Sequence, residues 1–288
     1  MLSDIQAREA FHFTLLRRLV EQLPQGVRLK GGVNLRLFFG SVRYSEDMDL
    51  DADARLQPRV LGQLRQIIAA PAFRRELLQL GIEDVTTSSR PAKSTDTTLR
   101  LKVAIVKGGV PLPTKVEVSF RGTSPGAWAV NDVPDPNVLT PYFPDGVPRF
   151  EVPHYPHQIA VWQKVNALAT RGGVQARDIF DLHWLFDAQR FGTPTPAVLQ
   201  FLRDRHPLAK LHTARDRCVE IRDAQFQEQV GAYLEPATRA HFEPLWDDMR
   251  LLVHGLLETA IALPVSSAPP APVHLTPATP PKTARRSR

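Results

Sequence analysis

The sequence predicts an α+β fold in two parts followed by a tail, on three observations. Segments of strand periodicity lie between helical ones in the first half, the second half is almost purely helical in pattern, and the last residues nearly lose large apolar side chains. With 288 residues, 43% hydrophobic and 23% charged, the chain is ordinary globular material with enough length for one large or two small domains. The expected boundaries are 1–150 for a core of strands and helices, 151–263 for an α-helical domain and 264–288 for a disordered, proline-rich basic tail.

Residues 2–23 place Ile5, Phe11, Leu15, Leu16, Leu19 and Leu23 near helical spacing behind a Ser3 cap. VRLK reads as a short strand, Gly31 and Gly32 as a turn permitting positive φ, and 33–39 as a helical turn or two. RYSEDMDLDAD follows as a strand, and a second helix is expected from about Arg59 to Leu80. TLRLKVAIV and TKVEVSF form a β-hairpin across Gly108 and Gly109, with Leu99, Leu101, Val103, Ile105, Val116, Val118 and Phe120 inward. From Gly122 to Pro156 proline, glycine and aspartate mark a connecting stretch and the domain boundary. Beyond it HQIAVWQKVNALATRG, VQARDIFDLHWLFDAQ and segments beginning near Pro196, Leu208 and Pro236 read as helices, and no internal repeat recurs.

Charge says little about partners. Of the net +6, Lys282, Arg285, Arg286 and Arg288 carry +4, leaving +2 for the body. The tail has too few large apolar side chains to offset its ordering entropy. The only cysteine, Cys218, excludes an internal disulfide and reads as inert, and no apolar run approaches a membrane span. MLSDIQAREAF lacks the pattern of a secretory signal, so a cytoplasmic location is expected.

The chemistry concentrates in RYSEDMDLDAD. On a strand Asp47, Asp49 and Asp51 share one face and Met48, Leu50 and Ala52 the other. Carboxylates so close repel one another, and a hard divalent cation such as Mg2+, with oxygen ligands and affinity for phosphates, is the usual relief. The glycine turn upstream opens a helix whose first N–H groups form an anion site. Lys115, Glu117 and Ser119 share the polar face of the returning strand, which reads either as a solvated edge or as a further carboxylate beside the aspartates. Lys164, Leu168 and Arg171 lie along one helix face, and the Gly172–Gly173 connection folds the next helix back with Asp178 and Asp181. Lys164 and Asp178 therefore form either a structural salt bridge or a lysine presented to a triphosphate and steadied by a carboxylate. His154 and His157 lack the companions of a zinc site and fit a helix-start or hinge role.

In order and content, KGGVNLRLFFGSVRYSEDMDLD, KVEVS and KVNALATRGGVQARDIFDL resemble the AbiEii/AbiGii family of nucleotidyltransferase-like toxins, which includes the MenT toxins. The likeness runs from about Leu29 to Leu185. It implies a core like that of DNA polymerase beta, a mixed sheet with helices, followed by a helical domain. It also implies metal ligation by Asp47 and Asp49 with Glu117 as the third carboxylate, a triphosphate lined by Gly31, Gly32, Arg43 and Ser45, and the family lysine and aspartate at Lys164 and Asp178. Val33 departs from the serine or threonine that many relatives carry after the two glycines.

The resemblance further implies Mg2+, or Mn2+ in its place, a nucleoside triphosphate substrate, and in-line attack by an acceptor hydroxyl on the α-phosphate. The acceptor it suggests is the 3′ end of tRNA, so that translation stops, with a cognate antitoxin as protein partner. Rival readings are an enzyme that nucleotidylates a protein hydroxyl, a nonenzymatic nucleotide binder, and a nucleic-acid-binding module whose charge lies in the tail. Arg171, Arg177, Arg203, Arg205, Arg215 and Arg217 suit phosphates, but Asp204, Asp216 and Asp223 among them favour a self-paired helical surface.

Overall fold

The computed structural model describes residues 1–88, 91, 93–121, 128–187 and 195–267. The expected disordered tail lies outside them from residue 268 onward, as do 122–127 of the connecting stretch and the end of the second long helical segment.

Helix α1 (Asp4–Gln22) starts at Ser3 in a capping box: the Ser3 hydroxyl accepts from the Gln6 N–H, and Gln6 Oε1 accepts from the Ser3 N–H. Then come β1 (Val27–Lys30), α2 (Gly31–Phe39), β2 (Asp47–Ala52), α3 (Gln57–Ala69) and α4 (Pro71–Gln79). The single helix expected over 59–80 is thus two. Pro71 has no N–H to continue the ladder, and Ala70 before it is extended at φ −66° and ψ 128°.

Strands β3 (Asp84–Thr87) and β4 (Lys93–Thr95) precede β5 (Thr98–Lys107) and β6 (Val110–Ser119), the expected hairpin, turned by Gly108 and Gly109 at φ +57° and +72°. The stretch expected as a connection also supplies β7 (Val130–Asp132), α5 (Pro136–Leu139) and β8 (Val152–His154). Three-residue strands are too short to show alternation. The helical half comprises α6 (His157–Thr170), α7 (Ala176–Leu185), α8 (Thr195–Arg205), α9 (Leu208–Arg217), α10 (Asp223–Gln229), α11 (Pro236–Phe242) and α12 (Trp246–Ala262). None of the described helices is long and apolar enough to cross a membrane.

The strands form one mixed sheet in the order β3-β5-β6-β2-β1-β8-β7, with β4 on β5. Strand β2 runs antiparallel to β1 and parallel to β6. Leu50, Leu99, Leu101, Val116 and Val118 face a core shared with α1, α3 and α4, while α6, α7, α9 and α12 enclose a second core that includes Val165, Leu168, Phe180 and Val253. Helix α2 belongs to both, with Val33 and Leu37 in the first core and Leu35 in the second. Its N-terminal glycines are thereby fixed where the two halves meet. Asn34 of α2 bonds the Tyr155 carbonyl through Nδ2 and His154 Nδ1 through Oδ1, both at 2.9 Å, and His154 Nε2 meets Asp132 at 3.0 Å. His157 opens α6 and reaches the Leu185 carbonyl at 2.6 Å.

A buried polar chain ties α1 to the sheet. The Thr114 hydroxyl donates to the Glu46 carbonyl at 2.7 Å, so at 2.8 Å it accepts from His12 Nε2. His12 is therefore the neutral Nε2–H tautomer, and burial, aided by Arg8, lowers its pKa from 6.5 to about 3. The folded pKa lies below the unfolded one, so this contribution to stability is present above pH 6.5 and is lost as pH falls toward 3. A His12→Gln variant should be less stable than the parent by about 1–2 kcal/mol at pH 7.5. That deficit should shrink at pH 5, as urea midpoints will show; a deficit unchanged with pH contradicts a neutral folded His12.

Candidate active site

Lys30 ends β1 in extended conformation, and Gly31 at φ +69° turns the chain directly into α2. A Cβ at Gly31 would stand 2.5 Å from Asp49 Oδ2, and one at Gly32 would stand 2.6 Å from Ser45 Oγ. Only glycine therefore allows the α2 start to lie against the acidic strand. The first N–H groups of a helix have no intrahelical acceptor and favour an anion. Ser45 closes the turn by donating to the Asp47 carbonyl at 2.7 Å. Val33, where a hydroxyl was expected in relatives, is packed in the core.

Asp47 and Asp49 line a cavity of about 350 Å³ together with Gly32, Arg43, Ser45, Glu117 and Lys164, so residues far apart in sequence and from both halves share one cleft. Gly31 adjoins it through its contact with Asp49. Asp178 stands behind Lys164 and is fully buried. Asp51, third in the acidic run, is bound instead by Lys30 and by the Tyr155 hydroxyl at 2.9 Å.

Parallel pairing sets Lys115 beside Asp47 and Glu117 beside Asp49, and antiparallel pairing sets Arg100 beside Glu117. Lys115 forms an ion pair with Asp47, and Arg100 holds Glu117 with Nε at 2.7 Å and Nη2 at 2.6 Å. Burial raises the Asp47 pKa; Lys115 opposes that, while Asp49 and Glu46 add to it. Asp49 has no ion pair among the described residues. Six cationic side chains, Arg43, Arg100, Lys115, Lys164, Arg171 and Arg177, face three carboxylates around the cavity, which suits a polyanion.

The donor chemistry fits a hard divalent cation: two carboxylates on one strand face, one raised in pKa chiefly by burial and the other without a cationic partner among the described residues, backed by glycines that leave room for them. Among the described residues no group of three His, Cys, Asp or Glu side chains converges on one point. Glu117 shares the face and the cavity, but its carboxylate is bound to Arg100.

Behind the cavity a buried ion network joins the halves. Asp181 accepts two bonds from Arg43, from Nε at 3.0 Å and Nη2 at 2.8 Å, and pairs with Lys164 at 2.6 Å. Lys164 donates to Asp178 at 3.1 Å, and Arg171 pairs with the other Asp178 oxygen at 2.9 Å. Burial would raise the pKa of Asp181, but Arg43 and Lys164 overcome it and hold the carboxyl at about 2. Arg43, expected on the triphosphate, lines the cavity while two of its nitrogens grip Asp181 and Nη1 donates to the Tyr44 carbonyl at 3.0 Å. Asp181, Lys115 and Arg100 were not among the expected site residues. The signal for Asp181 was its place three residues after Asp178, whereas Lys115 and Arg100 depend on strand register.

Of the described helical-domain arginines, only Arg171 and Arg177 line the cavity. Arg203 and Arg217 bond backbone carbonyls, Arg205 lies over Trp128, and Arg215 bonds Asp216, which is the one of the three interleaved acids seen to pair with these arginines among the described residues. Cys218 is buried, and burial pushes its thiol up to about 12, so it is inert.

A glycine turn into a helix, an adjacent carboxylate strand in a mixed sheet and a helical half closing the cleft are the architecture of the nucleotidyltransferase class. The family model described as the AbiEii nucleotidyl transferase toxin of type IV toxin–antitoxin systems matches residues 14–252, and the chain belongs to that family. None of the curated proteins matches the chain at a significant level. Among solved structures, JHP933 from Helicobacter pylori is similar at 16% identity with a TM-score of 0.51, covering 90% of this chain and 95% of that one, which speaks for the fold. A second H. pylori protein, provisionally described as a nucleotidyltransferase, is similar at 18% identity with a TM-score of 0.48, covering 86% of this chain and 95% of that one.

Removing one partner from a buried ion pair leaves an uncompensated charge. Arg43→Met and Asp181→Asn should each cost about 3–5 kcal/mol in urea unfolding. The double variant should cost well below the sum, because the two share one interaction. Additive losses would mean that the pair is not coupled.

Proposed function

We propose that this protein transfers a nucleoside monophosphate from a nucleoside triphosphate to an acceptor hydroxyl, and that the acceptor is the 3′ end of tRNA. The observation that carries the reading is the single cavity lined by Gly32, Ser45, Asp47, Asp49 and Lys164, drawn from both halves of the chain. The choice of tRNA rests on the family resemblance. A nucleotide added to that end would prevent aminoacylation and stop translation, in keeping with a toxin family whose members act beside an antitoxin.

The triphosphate lies against the first turn of α2, whose N–H groups donate to its oxygens where the glycines permit close approach. Asp47 and Asp49 would hold Mg2+ or Mn2+, with Glu117 as the third carboxylate of the face, and the bound cation supplies charge neutralisation and acidifies the acceptor hydroxyl. Lys164 balances charge on the phosphates and is steadied by Asp178 and Asp181. Asp178, buried between Lys164 and Arg171, orients the lysine. The acceptor oxygen forms a bond to the α-phosphorus as the bond to the bridging oxygen breaks, pyrophosphate leaves, and the hydroxyl proton passes to Glu117 or solvent.

Four labelled triphosphates incubated with total tRNA, or with lysate protein, with and without Mg2+, test the reading. Label should enter tRNA from at least one triphosphate only when the cation is present. Asp49→Asn, at a carboxylate with no ion pair, should keep the parent's circular dichroism and lose at least about 100-fold in transfer. Full transfer by that variant, or label in protein alone, would overturn this assignment.

A further inference from the structure

Among the described residues, the sheet beside the cavity is covered on one face only. Leu99, Leu101, Val103 and Ile105 of β5 are buried against the helices, while the opposite face of β4, β5 and β6 carries Lys93, Arg100, Lys102 and Lys115. Strand register arranges these residues in rows that begin at the acidic strand. One row runs Asp47, Lys115, Lys102, and the next runs Asp49, Glu117, Arg100, Lys93. At about 4.8 Å between strands, Lys102 stands about 10 Å from Asp47 and Lys93 about 14 Å from Asp49.

Neither β4 nor β5 contains an acidic residue. Lys115 and Arg100 are paired with Asp47 and Glu117, but the exposed Lys93 and Lys102 have no ion pair among the described residues. Positive charge therefore continues outward from the cavity to exposed residues of β5 and β4. Thr95 and Ala104 lie on the same face, and β4 and β5 place no aromatic or large aliphatic anchor beside the lysines there. A folded protein acceptor would need such an anchor in a pocket, whereas a polynucleotide backbone is bound mainly through its phosphates.

We propose that this face docks the single-stranded end of a polynucleotide acceptor, with Lys102 and Lys93 on successive backbone phosphates and the terminal hydroxyl directed to the cavity. About 14 Å corresponds to about four stacked nucleotides at 3.4 Å each, the length of a short unpaired end. This inference rests on the nucleotidyl-transfer reading for its direction, but the surface is tested by binding.

The probe is a twelve-nucleotide, 5′-fluorescein-labelled single-stranded RNA with a free 3′ hydroxyl, followed by anisotropy against the full chain and a Lys93→Glu/Lys102→Glu variant. Both lysines are exposed and outside the proposed catalytic set. The variant should keep the parent's melting temperature and its affinity for a fluorescent triphosphate, and bind the RNA at least about 10-fold more weakly. Its slope of log affinity against log salt should fall by about 0.7 for each phosphate that the lysines no longer neutralise. A Lys93→Gln/Lys102→Gln variant should show a smaller loss of the same kind. Unchanged RNA affinity, or displacement of the RNA by poly-L-glutamate at equal charge concentration, overturns the proposal. If the parent transfers nucleotide while the variant binds RNA normally, the surface is wrong and the enzymatic reading stands. If RNA binding falls as expected but the parent labels no polymer, the surface stands and the enzymatic reading fails.

Discussion

The cleft depends on a buried chain of opposite charges, Arg43–Asp181–Lys164–Asp178–Arg171, that crosses from the loop before β2 to helices α6 and α7. Both carboxylates are fully buried, so each needs cationic partners to remain ionised, and those partners come from the two halves of the chain. Three cations against two anions leave the network with a net positive charge, and all three cations line the cavity. The same contacts that stabilise the interface thus hold the Lys164 ammonium at the cavity that Asp47 and Asp49 of β2 also line.

The sheet supplies the opposing wall by register. A parallel pair between β2 and β6 sets each acidic residue beside a residue distant in sequence, so Lys115 meets Asp47 and Glu117 meets Asp49. Antiparallel pairing with β5 then brings Arg100 onto Glu117. On this floor Asp47 therefore borders a lysine, while Asp49 borders a glutamate that Arg100 holds. Burial raises the Asp47 pKa more than Lys115 lowers it, with Asp49 and Glu46 adding to the rise, and a carboxylate so placed favours a further cation with its accompanying phosphates.

Much of this was legible in the sequence where local rules decide. The Ser3 cap, the glycine turn, the β5–β6 hairpin and the pairing of Lys164 with Asp178 across Gly172–Gly173 all follow from neighbours within about one or two elements. The break at Pro71 was equally local, and the apolar pattern running through it hid it. Strands β7 and β8 were illegible because three residues carry no periodicity, and their place in the sheet comes from Asn34 and His154 bonding across the fold. The cations on Asp47 and Glu117 and the grip of Arg43 on Asp181 depend on registers and packing that no single segment encodes. For that reason Arg43 read as a phosphate contact and stands as a clamp.

The parallel pairing of β2 with β6 joins segments 68 residues apart, and a slip of one residue would turn Lys115 and Glu117 inward and Val116 and Val118 out to water. Misregistered chains would bury charge and expose hydrophobic side chains, a penalty that removes them from the folded population. Native hydrophobic burial and the charged floor of the cleft are thus one choice of register: a chain that buries Val116 and Val118 necessarily presents Lys115 and Glu117 to the cavity.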